Sequence, residues 1–409
     1  MIKVIRDADV AFVNLETTIH HFEGYPIGEG KSDAYAQAEP HIADELKWAG
    51  FDLVSRANNH SMDYSAEGMA ATTKNLDRVG LTHAGAGMNL EEAREPAYLE
   101  TPKGIVSLVS ATTYNLGVAS RTRRNLRGRP GVNPIRLETV YNLDPESFRA
   151  LKDVANKFGV ALPRGSEEVK EFTFPTRDAR FRLGDETKAV RTINNLDLKG
   201  NLKAVEDAGR LSDWVIFSLH DHTSTSKAPE GFKARELTPE PIEEFAHACI
   251  DSGADAFIGH GPHVLRGIEL YKGKPIFYSL GNFVFQSTLI TRQPSDLFER
   301  WGLGSEASTA DLYEKREAPP AHFFDEPDYW ESAVVECVYE NEKLARLKLY
   351  PITLGYDANR PMKEQRTKAG IPRLADGALG KEIIENVKRL SSRYGTEIEF
   401  KNGVGIIKL

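Results

Sequence analysis

Residues 254–286, ADAFIGHGPHVLRGIELYKGKPIFYSLGNFVFQ, decide the fold. Ala256, Phe257 and Ile258 form a short apolar run that stops at Gly259, which predicts a buried strand. His260 and His263 follow in a loop with Gly259, Gly261 and Pro262. A strand resumes over 267–271, Lys272-Gly273-Lys274-Pro275 turns the chain, and 276–279 runs back. Two imidazoles at the mouth of a buried strand are what a metal or phosphate site requires, so the rest of the chain is searched for groups to face them.

Three more strands end in polar residues. The run 10–13 leads into Asn14-Leu15-Glu16, which puts a carboxylate at the sheet edge where open α/β folds hold ligands. Taken alone, Glu16 reads more readily as a solvated turn residue. The run 51–57 ends in Asn58-Asn59-His60 and precedes a helix over 66–79, whose Met69, Thr73, Leu76 and Val79 share a face. A lone histidine there would be structural; Asn59 beside His60 at such an edge balances that reading with a functional one. The run 214–219 is strongly apolar and ends in His220-Asp221-His222. A helix opened by Pro239 or Pro241 then leads back to the first stretch.

Between these units the βα rhythm lapses. Arg121, Arg123, Arg124, Arg127, Arg129 and Arg136 crowd a segment broken by Gly128, Pro130 and Gly131. They read either as a solvated basic loop or as a clamp for an anion, since guanidinium pairs bidentately with carboxylate and phosphate. Asp144-Pro145 opens a helix as N-cap and first-turn proline. Residues 160–195 are charged and mixed and read as insertion or lid. The expected organisation is one domain over 1–409, with 115–205 inserted and 333–409 supplying a hairpin, a helix and two strands.

Composition narrows the function classes. A formal net charge of −8 over 409 residues argues against a general nucleic-acid binder. Cys249 and Cys337 are the only cysteines, which excludes a disulfide scaffold and fits no zinc-finger spacing. Cys249 falls on the apolar face of a helix and reads as core. No run approaches the roughly 20 apolar residues of a membrane span. The first residues, MIKVIRDADVAFVNLE, carry acidic groups early and lack a cleavage site, so no signal peptide is expected; they read as already inside a strand pattern. The chain as written is expected to be unexported, and extracytoplasmic only if sequence precedes it.

Collected, the strand-end residues are Glu16, Asn59, His60, His220, His222, His260 and His263. Imidazole, carboxylate and amide oxygen together suit Mn, Fe or Zn better than Mg or Ca, which prefer oxygen alone. One or two such ions would activate water and hold a substrate oxygen. His60 need not be a ligand, since a histidine beside a bound oxyanion serves as proton donor. No nucleophile-elbow pattern supports a serine hydrolase.

Asn14-Leu15-Glu16, Asn58-Asn59-His60-Ser61-Met62-Asp63-Tyr64, Gly259-His260-Gly261-Pro262-His263 and Tyr278-Ser279-Leu280-Gly281-Asn282-Phe283 resemble, in order, the motifs of the CapA family of capsule and poly-γ-glutamate synthesis proteins. The resemblance implies a four-layer α/β/β/α metallophosphatase-like sandwich with metals at the sheet edge. It implies Glu16, Asn59, His220, His260 and His263 as metal ligands and His60 as proton donor. Asn14, Asn58, His222, Arg124, Arg127 and Arg129 are expected to bind substrate. Asp221-His222 stands where the family often has Trp-Gly. The family also opens on a strand ending in Gly-Asp, which no residue before Asn14 matches; that first strand is therefore expected to be lacking, with a late start of the sequence as the favoured reason. The expected activity is metal-dependent hydrolysis or transfer on a phosphoester or polyglutamate-type anion, alongside capsule-synthesis partner proteins. The alternative is a non-catalytic accessory protein that binds a polyanion.

Overall fold

The computed structural model describes residues 1–28, 34–159, 171–174, 179–225, 227–316, 318, 326–357, 359–360, 364 and 368–409. The expectation for 160–195 falls partly on 160–170 and 175–178, which lie outside the described residues. The chain divides into two compact units, one of residues 1–134 and 199–409 and one of residues 135–198.

The principal elements of the first unit run α1 (Ile2–Arg6), β1 (Phe12–Asn14), α2 (His41–Ala49), β2 (Leu53–Ser55), α3 (Ser65–Arg78), β3 (Thr82–Ala84), β4 (Ala97–Thr101) and β5 (Gly104–Thr112). The second unit holds β6 (Leu137–Leu143), α4 (Pro145–Lys157), β7 (Glu171–Phe174), β8 (Ala179–Leu183) and β9 (Lys188–Ile193). Then follow α5 (Asn195–Ala208), β10 (Trp214–His220), α6 (Glu240–Asp251), β11 (Ala256–His260), β12 (Ile268–Tyr271), β13 (Lys274–Phe277), β14 (Glu331–Glu340), β15 (Lys343–Thr353), α7 (Gly377–Ser391), β16 (Ile398–Lys401) and β17 (Val404–Ile407).

Two sheets form the centre. One is parallel, in the order β1-β2-β3. The other runs β12-β13-β11-β10-β5-β4, parallel through its middle and antiparallel at β4 and β12. Their inner faces meet through Leu53, Ala84, Val106 and Leu108, flanked by Phe12 and Ile216. Even the polar pair across this interface is satisfied: the Ser55 and Ser110 hydroxyls are 2.6 Å apart. Ile5, Ala43 and Leu76 carry α1, α2 and α3 onto the outer face of the first sheet beside Val54. On the far side Phe245 of α6 packs edge-on to Phe217 of β10, with ring centroids 5.2 Å apart, and Phe217 stacks on Phe257 at 5.7 Å. Helix, sheet, sheet, helix is the four-layer α/β/β/α metallophosphatase-like arrangement. Where the two sheets face each other and where helices cover them, their strands read as continuous apolar runs rather than alternating ones.

Cys249 is fully buried on α6, and burial pushes its thiol well above the usual range. The third sheet of this unit is antiparallel, β14-β15-β17-β16, with Arg373–Leu374 added to β15. Helix α7 lays Ile383, Ile384 and Val387 onto Leu347 and Leu349 of β15.

The start of the chain corrects the sequence reading. Residues 2–6 are helical where a strand pattern was expected. Ile2 and Ile5 stand three residues apart, so a helix places them on one side, and Ile5 is buried against the α2 layer. In the second unit, β6 to β9 form their own sheet, β7-β8-β6-β9, with α4 capped by Asp144 and started by Pro145. Arg136 pairs bidentately with Asp197 there, at 2.6 and 2.9 Å.

Candidate metal centre

Glu16, two residues past β1, is the hub. Its Oε1 lies 3.6 Å from His220 Nε2, 3.6 Å from His263 Nε2 and 3.9 Å from His222 Nε2. That oxygen is buried, and no hydrogen-bond donor among the described residues satisfies it. A buried carboxylate oxygen without a donor is costly unless a cation compensates it. Glu16, His220 and His222 offer ligand atoms that all lie within 4.8 Å of one another. An N/O donor set of this kind fits Mn, Fe or Zn, so the residues present fit a divalent ion.

The two histidine loops are welded together. Asp221 N donates to His260 O at 2.7 Å, and Gly261, at φ +123°, closes against the Asp221 backbone. The Asp221 side chain turns away from the imidazoles. Its Oδ1 accepts from the Thr113 and Thr223 hydroxyls at 2.7 and 2.8 Å, and its Oδ2 lies 3.6 Å from the buried Arg266 guanidinium. Arg266 also donates to Thr223 O at 2.6 Å and Arg235 O at 3.0 Å. With Asp221 held on that side, His220 and His222 both face Glu16.

His260 stands behind His220. The two Nδ1 atoms are 2.8 Å apart, and His260 Nε2 lies 2.7 Å from Ser218 Oγ. Both ring nitrogens of His260 are therefore engaged. If His220 Nδ1–H donates to His260 Nδ1, then His260 Nε2–H donates to Ser218, and the His220 Nε2 lone pair is turned to the side of Glu16 and of His222 Nε2, 2.8 Å away. This is the orienting partner that metal-bound histidines characteristically have. Asn282 does the same for His263, accepting from its Nδ1–H at 2.8 Å. His263 holds φ +60°, a strained conformation for a residue with a side chain. Burial, then the neighbouring imidazoles, push His220 and His222 well below the ordinary histidine range. The same causes take His260 down to about 3. All three are neutral near pH 7, the state a metal ligand needs.

His60 begins the turn after β2. Its Nδ1–H donates to Asp63 Oδ2 at 2.6 Å, and the same oxygen accepts from Ala36 N at 2.6 Å. That pairing fixes the ring and leaves Nε2 for the cleft, which Glu16, Asn59, His60, His222, His260 and His263 line. Asn58 is scaffold: Nδ2 donates to Leu15 O at 2.7 Å and Asn14 Oδ1 at 3.2 Å, while Oδ1 accepts from His60 N at 3.1 Å. Asn58 and Asn14 thus tie the Glu16 turn to the His60 turn.

Arg124, Arg127 and Arg129 lie on an exposed loop, and none of them lines this cleft. Sequence reasoning did not single out Asp63, Ser218, Asn282 or Arg266. The three-residue spacing of His60 and Asp63 was the available signal for the first.

The chain folds as a four-layer, metallophosphatase-like sandwich with imidazoles and a carboxylate gathered at its strand ends. The sequence matches the family described as bacterial capsule synthesis protein PGA_cap over residues 1–287, and the chain belongs to that family. It is 35% identical over 425 residues to an uncharacterized protein, y4sH, of Sinorhizobium fredii, covering all of this chain and 88% of that one. It is 26% identical over 321 residues to the PGA biosynthesis protein CapA of Bacillus subtilis, covering 77% of this chain and 65% of that one. Among solved structures, a hypothetical protein from Thermus thermophilus superposes with a TM-score of 0.36 at 14% identity, covering 86% of this chain and 90% of that one. No helix among the described residues is long and apolar enough to cross a membrane.

Proposed function

We propose that the chain is a CapA-like protein of capsule or poly-γ-glutamate synthesis that hydrolyses or transfers an anionic substrate, a phosphoester or a polyglutamate-type chain, at a site holding one or two divalent ions. The observation that carries this reading is the buried, donor-free Glu16 Oε1 facing three imidazole Nε2 atoms. Glu16, His220 and His222 would hold the ion, with His263 and Asn59 beside them. Bound there, a Mn, Fe or Zn ion supplies Lewis acidity toward an anionic oxygen. The protein's own groups do the rest. His60, oriented by Asp63, presents Nε2 to a leaving-group oxygen and gives it a proton, and the Asp63 carboxylate stabilises the charged ring. His260 and Ser218 keep His220 in the ligating tautomer. Metal analysis of the purified protein, with phosphodiester turnover assayed in Mn²⁺, tests the proposal. Bound metal and a loss of turnover of at least about 100-fold in His60→Ala are expected. A metal-free protein that binds polyglutamate through the arginines between Arg121 and Arg136 would replace it with the accessory role.

A further inference from the structure

The carboxylate that orients His60 is itself held by a backbone donor, Ala36 N. That N–H and Tyr35 O belong to one planar peptide unit, in which N–H and C=O point opposite ways. Gln293 holds the carbonyl end. Its Nε2 donates to Tyr35 O at 3.1 Å, and its Oε1 accepts from Tyr35 N at 3.0 Å. Nε2 also donates toward the Tyr313 hydroxyl at 3.3 Å, so the whole amide is oriented. The bonds thus run in line: Gln293 Nε2–H to Tyr35 O, then across the peptide, then Ala36 N–H to Asp63 Oδ2 at 2.6 Å. On the same oxygen, also at 2.6 Å, His60 Nδ1–H arrives.

The support comes from a distant part of the chain. Gln293 precedes a short helix, Ser295–Arg300, and Tyr313 lies on another, Thr309–Arg316. Leu297 and Leu312 of these helices pack with Tyr35 and with Tyr64, the residue after Asp63. Tyr35 is only 1% exposed, and its hydroxyl lies 2.6 Å from Ile27 O and 3.2 Å from Asp296 Oδ2. Thr291, Trp301 and Arg316 line the same cleft as Ala36 and His60. All of these helical residues lie beyond 287, where the family match ends.

We infer that Gln293 is a positioning residue for His60, acting through the Tyr35–Ala36 peptide and Asp63. This role rests on His60 being the proton donor of the proposed function, and it brings a segment outside the family match into that site. Residues 34–36 are in neither helix nor strand, so their N–H and C=O groups need partners from elsewhere. Gln293 supplies two of them. Hydrogen bonds in a chain polarise one another, so donation to Tyr35 O makes Ala36 N–H a better donor to Asp63. Oδ2 is thereby pinned where His60 Nδ1–H meets it. The neutral ring keeps its proton on Nδ1, and Nε2 stays the atom that takes up and gives a proton in the cleft.

The test reads His60 directly in the metal-free protein. Nitrogen-15 spectra of histidine-labelled chain at pH 8, with the His60 signals assigned by their loss in His60→Gln, should show the Nδ1–H tautomer alone. Gln293→Leu keeps the bulk and removes the amide, and should move both His60 nitrogens toward a tautomer mixture. Gln293→Glu keeps the length and the acceptor for Tyr35 N but sets an oxygen against Tyr35 O. It should give the same shift, and it serves if the leucine variant does not fold. In turnover, kcat should fall about tenfold or more while KM changes by less than about twofold. A folded variant, matched to the parent by circular dichroism, whose His60 signals stay in place overturns the inference whatever its turnover. A parent without turnover, or turnover that survives His60→Ala, counts against the proposed function instead, and the tautomer shift still decides the role of Gln293.

Discussion

Gly261 lies so close to Asp221 that a β-carbon on the glycine would stand 2.7 Å from the Asp221 carbonyl oxygen. Its φ of +123° is also one that side-chain-bearing residues rarely adopt. Gly261→Ala should therefore separate the His220–His222 loop from the His260–His263 loop. A loss of stability above about 1 kcal/mol is expected in denaturant unfolding, together with weaker metal binding. Unchanged stability would show that the loops yield without cost.

Glu16→Gln keeps the shape of the side chain and removes its charge. Divalent-ion affinity, measured by calorimetry with Mn²⁺ or Zn²⁺, should fall by at least tenfold, while the apo protein gains stability because the amide can donate toward the imidazole nitrogens that Oε1 now faces without a donor. The opposite signs of the two effects separate an ion-holding role from a merely structural one.

Ser218→Ala touches neither the ion nor the cleft. It removes the end of the relay that sets the tautomers of His260 and His220. Such outer partners are worth about 10- to 100-fold in metal affinity. The measurement is the affinity ratio of variant to parent at matched circular dichroism spectra.

Glu331 gives a stability signature unrelated to the ion. Burial, then Asp328 and Glu382, raise its carboxyl to about 7. The folded state thus binds a proton that the unfolded chain has already lost above its ordinary value of 4.5. Stability from this group is full below 4.5 and is lost as pH rises toward 7. Glu331→Gln should consequently stabilise the protein more at pH 8 than at pH 4.5, as read from urea midpoints.

Phe217 carries the outer layer. It is fully buried between Phe245 and Phe257. Phe217→Ala should cost about 3–5 kcal/mol by chemical denaturation.

What the sequence made legible is the set of strand ends. Apolar runs stopping at Glu16, Asn59, His220 and Gly259 mark strands of the two central sheets, and parallel neighbours bring such ends to one edge. Helices α3 and α4 were legible for local reasons, the shared face of Met69, Thr73 and Leu76 in one and Asp144-Pro145 before the other. The placement of His260 was not: β11 runs two residues further than its apolar residues, through Gly259 to His260, because pairing with β10 continues to His220. That register, invisible to composition, sets His260 against His220. Helix α1 was missed because five residues with two isoleucines fit either period. The arginine loop was open to two readings because charge alone says nothing about which way a loop faces.

Asn282 has a second bond whose reach is longer than the site. Besides holding His263, its amide donates to Tyr329 O at 3.0 Å, on the approach to β14. The family match ends at residue 287. A fragment cut at that boundary would keep every imidazole and the carboxylate, yet lose an anchor of the amide that aims one of those imidazoles. The segment that defines membership is thus not self-sufficient: its chemistry is underwritten by the C-terminal third of the polypeptide.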